Sequence, residues 1–209
     1  MLLKQSISLA DKATIVVASN NSGKLKEFAL LLPKFKIISQ SSLGITPEAE
    51  LGETFFENSL QKARVANTAS GMLSLGDDSG LIVPALNNLP GLRSARYAHE
   101  SATDKENRQH LKKELEKLEL YQAKAYFVCV LVLMQVPADP FPLIATGLLE
   151  GSVKTTMQGD NGFGYDPMFY PKNSNVSLGE ISADKKALLS HRGQAIQVLK
   201  RKIEGFAPE

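Results

Sequence analysis

The sequence predicts a mixed α/β fold, and three observations predict it. A short β-branched run, Ile15–Ala18, passes through a polar loop into a helical stripe. The span Ala125–Val136 is almost wholly apolar, which suits a central strand covered on both faces. Helix caps recur between the extended runs, at Thr54, Thr103, Ser182 and Ser190.

In chain order, Ile15–Ala18 reads as a strand and Ser19–Gly23 as a turn cluster. Leu25, Phe28, Ala29 and Leu32 then recur with helical spacing, and Pro33 stops the stripe. Phe35–Ser39 reads as a second strand. Thr54 caps a helix running to about Ala69, with Phe56, Leu60 and Ala63 as its apolar stripe and Asn58 and Lys62 together on another face. A strand at Met72–Leu75, a turn at Gly76–Gly80 and a further strand at Leu81–Leu86 follow, then a loop over Asn87–Gly91. Thr103 with Glu106 is a capping box, and the helix behind it carries Leu111, Leu115 and Leu118 on one face. Pro137–Pro142 is a turn, and Leu143–Gly151 returns as the hairpin partner of the apolar strand. Gly159–Pro167 is a glycine-rich, polar–aromatic loop, and the last helix carries Ala195, Leu199 and Ile203 as its stripe. Residues 1–12 read as a frayed N-terminal extension, too weakly patterned for a signal peptide. With no internal repeat, low-complexity segment or long linker, residues 1–209 read as one domain.

Composition narrows the function classes. The 209 residues are 43% hydrophobic and 22% charged, ordinary for a globular protein, with a net charge of only +2. Such a chain is no polycation built for a nucleic-acid backbone, so no polymeric nucleic acid is expected as a partner. No run reaches the roughly 18 apolar residues of a membrane span, so no membrane is expected either. The single cysteine, Cys129, rules out an intrachain disulfide and a multi-cysteine metal site, and it fits a cytoplasmic setting. Its place in an apolar run marks it as a buried structural thiol.

Four clusters carry candidate chemistry. The loop Ser19-Asn20-Asn21-Ser22-Gly23-Lys24 lies between a strand and a helix start, where exposed N–H groups favour an anion and Lys24 adds a full charge. It is no Walker loop, because Leu25 stands where Ser or Thr would hold Mg²⁺. Asp77-Asp78-Ser79-Gly80 offers carboxylates to a hard cation; on extended backbone its two acids point to opposite faces. Gly162-Phe163-Gly164-Tyr165-Asp166 lets backbone approach a ligand and offers an aromatic ring to a planar base. Ser190-His191-Arg192-Gly193 sets a histidine and an arginine in the first turn of the last helix, where Arg suits a phosphate or a carbonyl edge. Taken singly, each cluster also reads as ordinary structure: a capped turn, an acidic turn, an aromatic plug, a packed helix start.

Their order decides. Ser19–Lys24, Glu53–Ala63, Asp77–Leu81, Pro90–Tyr97, Gly162–Pro167 and Ser190–Gly193 together resemble the ITPase family, the noncanonical purine NTP pyrophosphatases or XTP/dITP diphosphatases, from about Ile15 to Ala195. The resemblance implies an elongated mixed sheet with flanking helices, two lobes around a central cleft, and a homodimer. It implies hydrolysis of ITP, dITP and XTP to the monophosphate and pyrophosphate with Mg²⁺, removing these nucleotides from the pool. It assigns the triphosphate to Ser19, Asn20, Asn21, Ser22, Gly23 and Lys24, and metal and general-base duty to Asp78. Ser79 is assigned a substrate contact. Phe163, Gly164, Tyr165 and Asp166 are assigned the base, with Lys186, His191 and Arg192 completing base and phosphate contacts. This chain departs from the family where an acid often stands: the position holds Ala49, flanked by Glu48 and Glu50. Glu50 is taken as the second metal carboxylate. A donor near His191 and Arg192, aimed at the 6-keto group, is expected to exclude adenine. Two rival readings are a Maf-type pyrophosphatase of modified pyrimidine nucleotides and a non-catalytic nucleotide sensor. The Phe-Gly-Tyr-Asp and Ser-His-Arg motifs oppose the first, and the presence of Asp78 and Lys24 opposes the second.

Overall fold

A computed structural model describes residues 13–205, so the proposed N-terminal extension lies outside the described residues. The chain is mixed α/β. Six strands run in the order β2-β1-β3-β4-β5-β6: β1 Thr14–Val17, β2 Lys36–Ser39, β3 Ser74–Ile82, β4 Gln122–Met134, β5 Leu143–Lys154 and β6 Phe169–Pro171. The helices are α1 Ser22–Leu31, α2 Phe55–Ser70, α3 Asp104–Lys117, α4 Ala183–Leu189 and α5 His191–Glu204.

β1 pairs parallel with β2 (Val16 opposite Ile38) and with β3 (Val17 opposite Leu75), whereas β5 and β6 are antiparallel. Parallel neighbours need a crossover, and α1 and α2 supply the two. The chain divides into two compact units. The first takes residues up to Asp78, Cys129–Gly147 and Arg192 onward; the second takes Ser79–Val128 and Leu148–His191.

In the first unit, Val16, Ala18 and Ala66 form one apolar cluster with Ile38 and Met72, and Ala63, Val132 and Met134 form another with Leu60 and Ile144. The face of α2 that is buried differs from the expected stripe. Ala63 and Ala66 are buried with Asn58, Ser59 and Asn67, while Phe56 is 49% exposed. Small and polar residues replace large ones because α2 lies against β3 at backbone distance. A Cβ on Gly76 would stand 2.0 Å from the Ser59 carbonyl oxygen, and the Ser59 hydroxyl donates to the carbonyls of Gly76 and Val130. Gly76 is thus a packing glycine. The expected turn at Gly76–Gly80 is instead the middle of one unbroken strand.

In the second unit, Leu81, Leu111, Leu115, Ala125, Met168 and Phe169 belong to a single buried cluster. The capping box of α3 forms as expected: Thr103 Oγ1 accepts from Glu106 N–H, and Glu106 accepts from Thr103 N–H. β4 is buried on alternate residues up to Phe127 and on every residue from Cys129 to Met134, so only its second half is the doubly covered strand expected. The α5 stripe of Ala195, Leu199 and Ile203 is buried.

Candidate active site

In the first unit, β1 delivers the Ser19–Lys24 loop to the start of α1. Asn21 is the N-cap, its side-chain oxygen accepting from Lys24 N–H at 3.0 Å, and Ser19 Oγ accepts from Asn21 N–H. Asn21 therefore uses its oxygen to hold the turn, while Ser22 and Gly23 open the helix with the N–H groups an anion would meet.

Lys24 Nζ lies 3.3 Å from Asp77 Oδ1. Asp77 is buried and also accepts from Arg192 Nε at 2.8 Å, and the Cys129 thiol donates to it across 3.7 Å. Arg192 in turn donates from Nη1 to Glu27, one turn beyond Lys24 on α1, at 2.5 Å. Burial alone would raise the Asp77 carboxyl, but Arg192 and Lys24 outweigh it and hold Asp77 well below the usual carboxylate range. Burial pulls Lys24 below an ordinary lysine, with Asp77 opposing. Arg192 was expected beside the base. It is fully buried, and its guanidinium pairs with two carboxylates of the first unit.

Asp78, the next residue on β3, has separate partners. Its Oδ1 lies 2.7 Å from Lys62 Nζ, and its Oδ2 accepts from Asn58 Nδ2 at 3.2 Å. Lys62 also meets Glu50 at 2.5 Å, so one ammonium is shared by two carboxylates. Asn58 ties the same parts together, since its Oδ1 accepts from Gly52 N–H at 2.9 Å while its amide donates to Asp78. Of the two glutamates flanking Ala49, Glu50 is the one joined to Asp78 through Lys62; Glu48 accepts from Gln61. Burial raises Asp78 from its ordinary value, and Lys62 opposes without cancelling it. Burial would lower Lys62, but Asp78 and Glu50 outweigh it and hold its proton more firmly. Asp78 is thereby shifted toward accepting a proton.

Two carboxylates already sharing a cation are a fitting donor set for a hard divalent ion. Among the described residues, no three His, Cys, Asp or Glu side chains gather to cage a metal. A Mg²⁺ ion fits that arrangement, since it commonly takes one or two carboxylates and completes its shell with water and phosphate oxygens.

The second unit holds the aromatic loop. Phe163 N–H donates to Asp166 Oδ2 at 2.7 Å, and Lys186 Nζ lies 2.6 Å from the same oxygen and 4.2 Å from the centre of the Phe163 ring. A Cβ on Gly162 would stand 2.0 Å from that oxygen, so glycine is required there by space as well as by its φ of 79°. Tyr165 was expected to embrace the base. It is buried, and its hydroxyl donates to the Ser94 carbonyl at 2.9 Å, so it anchors the loop from beneath. His191 is buried with its ring stacked on Phe127, 4.7 Å between centroids and 11° between planes. Ser79 is half-buried on β3. A pocket of about 410 Å³ opens beside the loop, lined by Arg108, Met157, Asn161 and Phe163 among others.

Sequence reasoning missed Lys62 and Asn58 as site residues. Their signal was the spacing of four on a helix whose buried face is unusually polar. It also missed Asp77 as the holder of Lys24, and it missed Arg108.

The fold and these clusters define a class: a mixed α/β protein with Lys24 at a capped helix start, two carboxylates sharing the Lys62 ammonium, and an aromatic loop beside a pocket. The chain belongs to the Ham1 family, whose family model matches residues 15–202. It is 44% identical over 194 residues to the dITP/XTP pyrophosphatase of Haemophilus influenzae, an overlap covering 92% of this chain and 100% of that protein. Among solved structures it is similar to a HAM1 protein from Coxiella burnetii, with 41% identity and a TM-score of 0.84 over 92% of this chain and 99% of that one. It is also similar to the Ham1 protein of Staphylococcus aureus, with 36% identity and a TM-score of 0.79 over 92% and 98%. The resemblance carried by the six ordered motifs is borne out.

Proposed function

We propose that the protein hydrolyses noncanonical purine nucleoside triphosphates, ITP, dITP and XTP, to the monophosphate and pyrophosphate. The observation that carries this reading is the pair Glu50 and Asp78 sharing one ammonium on Lys62, in the unit where Asp77 holds Lys24 at the start of α1. That set offers what triphosphate cleavage requires: positive charge for the phosphates, carboxylates for a metal, and a carboxylate able to take a proton.

Asp78 and Glu50 would hold Mg²⁺, which when bound supplies charge neutralisation to the phosphates. Lys24 and the first-turn N–H groups of α1 bind phosphate oxygens. Asp78 orients a water for in-line attack at the α-phosphorus and accepts its proton. A bond forms from the water oxygen to the α-phosphorus, the α–β bridging bond breaks, and pyrophosphate leaves. Positioning and electrostatics do most of this chemistry.

In the second unit the Phe163 ring takes the purine by stacking, and a donor from the His191–Arg192 region or a backbone N–H is aimed at its 6-position. Hypoxanthine and xanthine carry a 6-keto acceptor for such a donor, whereas adenine would meet it with a 6-amino group. Sites built on hydrogen bonds of this kind discriminate by about 10⁴. The family likeness supports a homodimer, and a single buried thiol accords with the cytoplasm as its setting. No helix of the described residues is long and apolar enough to cross a membrane.

A panel of ITP, dITP, XTP, ATP, UTP and dUTP, with pyrophosphate and orthophosphate assayed separately, tests the reading. Pyrophosphate release from the three keto-purines supports it. Preference for the pyrimidine nucleotides would favour the Maf-type alternative, and no turnover of any would leave only a binding role.

A further inference from the structure

The aromatic loop is gripped at a residue with no side chain of its own. Gly164 sits at φ +59° with open space where a Cβ would be, so only its backbone can be held. Both of its polar groups go to α3. Its N–H donates to Asp104 Oδ2 at 2.7 Å, and its carbonyl accepts from Arg108 Nη1 at 2.6 Å. Asp104 and Arg108 are four apart on α3 and therefore share a face. We propose that Asp104 and Arg108 form a clamp on Gly164 that sets the position of the Phe163 ring, making both of them positioning residues for base binding. The proposal rests on the reading that Phe163 takes the base.

The clamp has a firm footing. The capping box fixes the start of α3. Asn107, between the two clamp residues, is buried; it donates to the Ala95 carbonyl at 3.0 Å and accepts from Ala98 N–H at 2.9 Å. Leu111 and Leu115 root the helix in the core. From the other side, Asp166 holds the Phe163 N–H and is itself paired with Lys186. With the backbone on both sides of the ring fixed, a base meets a platform that need not be ordered on binding. Arg108 Nε is buried and has no hydrogen-bond partner among the described residues. An unsatisfied buried donor is a cost, and the Nη1 bond to Gly164 gives the side chain a reason to be there.

The test uses the full-length protein with Asp104→Ala and Arg108→Ala, the conservative Asp104→Asn and Arg108→Lys, and Phe163→Ala as comparator. It reads KM and kcat for ITP, thermal melting, and hydrogen exchange of the Gly164 amide without substrate. The clamp predicts KM raised about tenfold in both alanine variants with kcat held within about twofold, as for lost ground-state binding. It predicts faster Gly164 exchange in Asp104→Ala while β5 amides stay protected, and recovery in Asp104→Asn, whose side-chain oxygen can still accept. If Phe163→Ala raises KM but neither alanine variant does, the clamp is wrong and the base reading stands. If Phe163→Ala leaves KM unchanged, the base reading fails and the clamp loses its platform, whatever the Gly164 amide does. Arg108→Ala decides the matter should Asp104→Ala fail to fold.

Discussion

Asp77 and Asp78 are consecutive on one strand, yet each is held by its own cations: Asp77 by Arg192 and Lys24, Asp78 by Lys62. The alternation of a strand separates them. Their environments then drive them apart, Asp77 fixed as an anion and Asp78 pushed toward accepting a proton. Divergence of neighbouring acids is a common way to divide structural and catalytic duty.

Asp78→Asn should therefore cost activity without costing the fold. Loss of the general base and of a metal carboxylate is expected to lower kcat by about 10²- to 10⁴-fold. Because burial raises Asp78, its ionised form is a net cost to the folded state at neutral pH, so the melting temperature should hold or rise. A kcat within a few-fold of the unsubstituted protein would remove Asp78 from the chemistry.

Asp77→Asn should do the reverse. Its folded carboxyl lies below the unfolded value of 3.8, so its contribution to stability is present above that pH and is lost as pH falls below it. Denaturant titrations should show a large loss of stability at pH 7 and a smaller one near pH 3. An equal loss at both would mean the ion pairs with Arg192 and Lys24 contribute little.

Arg192→Met removes a fully buried cation from buried Asp77 and half-buried Glu27, and breaking a buried pair in this way costs about 3–5 kcal/mol. Equilibrium unfolding measures it. A loss below about 1 kcal/mol, the value of an exposed pair, would contradict the sealed position of this arginine.

Cys129 should resist iodoacetamide in the native protein and react only on unfolding, because burial raises the thiol and Asp77 raises it further. Rapid native labelling, read by mass spectrometry, would show that the interior beside Asp77 is open.

The fold was legible wherever periodicity or caps spoke. The α5 stripe and the Thr54 and Thr103 caps are in place, and so are Phe28 and Leu32 of the α1 stripe and Leu111 and Leu115 of the α3 stripe, whereas Ala29 and Leu118 are exposed and the long apolar strand is doubly covered only in its second half. Two further features were not legible. Glycines beside aspartates read as a turn, but Gly76 is glycine because α2 backbone packs against it, a long-range demand that local propensity does not encode. β6 is three residues long and exists through its pairing with β5. In the candidate site, residue types pointed to Lys24, the Asp77-Asp78 pair and Phe163, since charge and aromaticity announce their chemistry, and the family resemblance singled out Asp78 and Glu50. Pairings stayed hidden. Arg192 reads as a ligand-binding arginine in sequence, and only the packing of α5 shows its bonds to Asp77 and Glu27. Lys62 looks like a solvated helix lysine until Glu50 and Asp78 are seen on either side of it.

In the proposed reaction, water is delivered to the α-phosphorus. Hydrolysis of ITP in water enriched in heavy oxygen, with both products weighed by mass spectrometry, tests it most directly. The account predicts the heavy atom in the inosine monophosphate and none in the pyrophosphate. Label in the pyrophosphate, or release of orthophosphate as the first product, would contradict it.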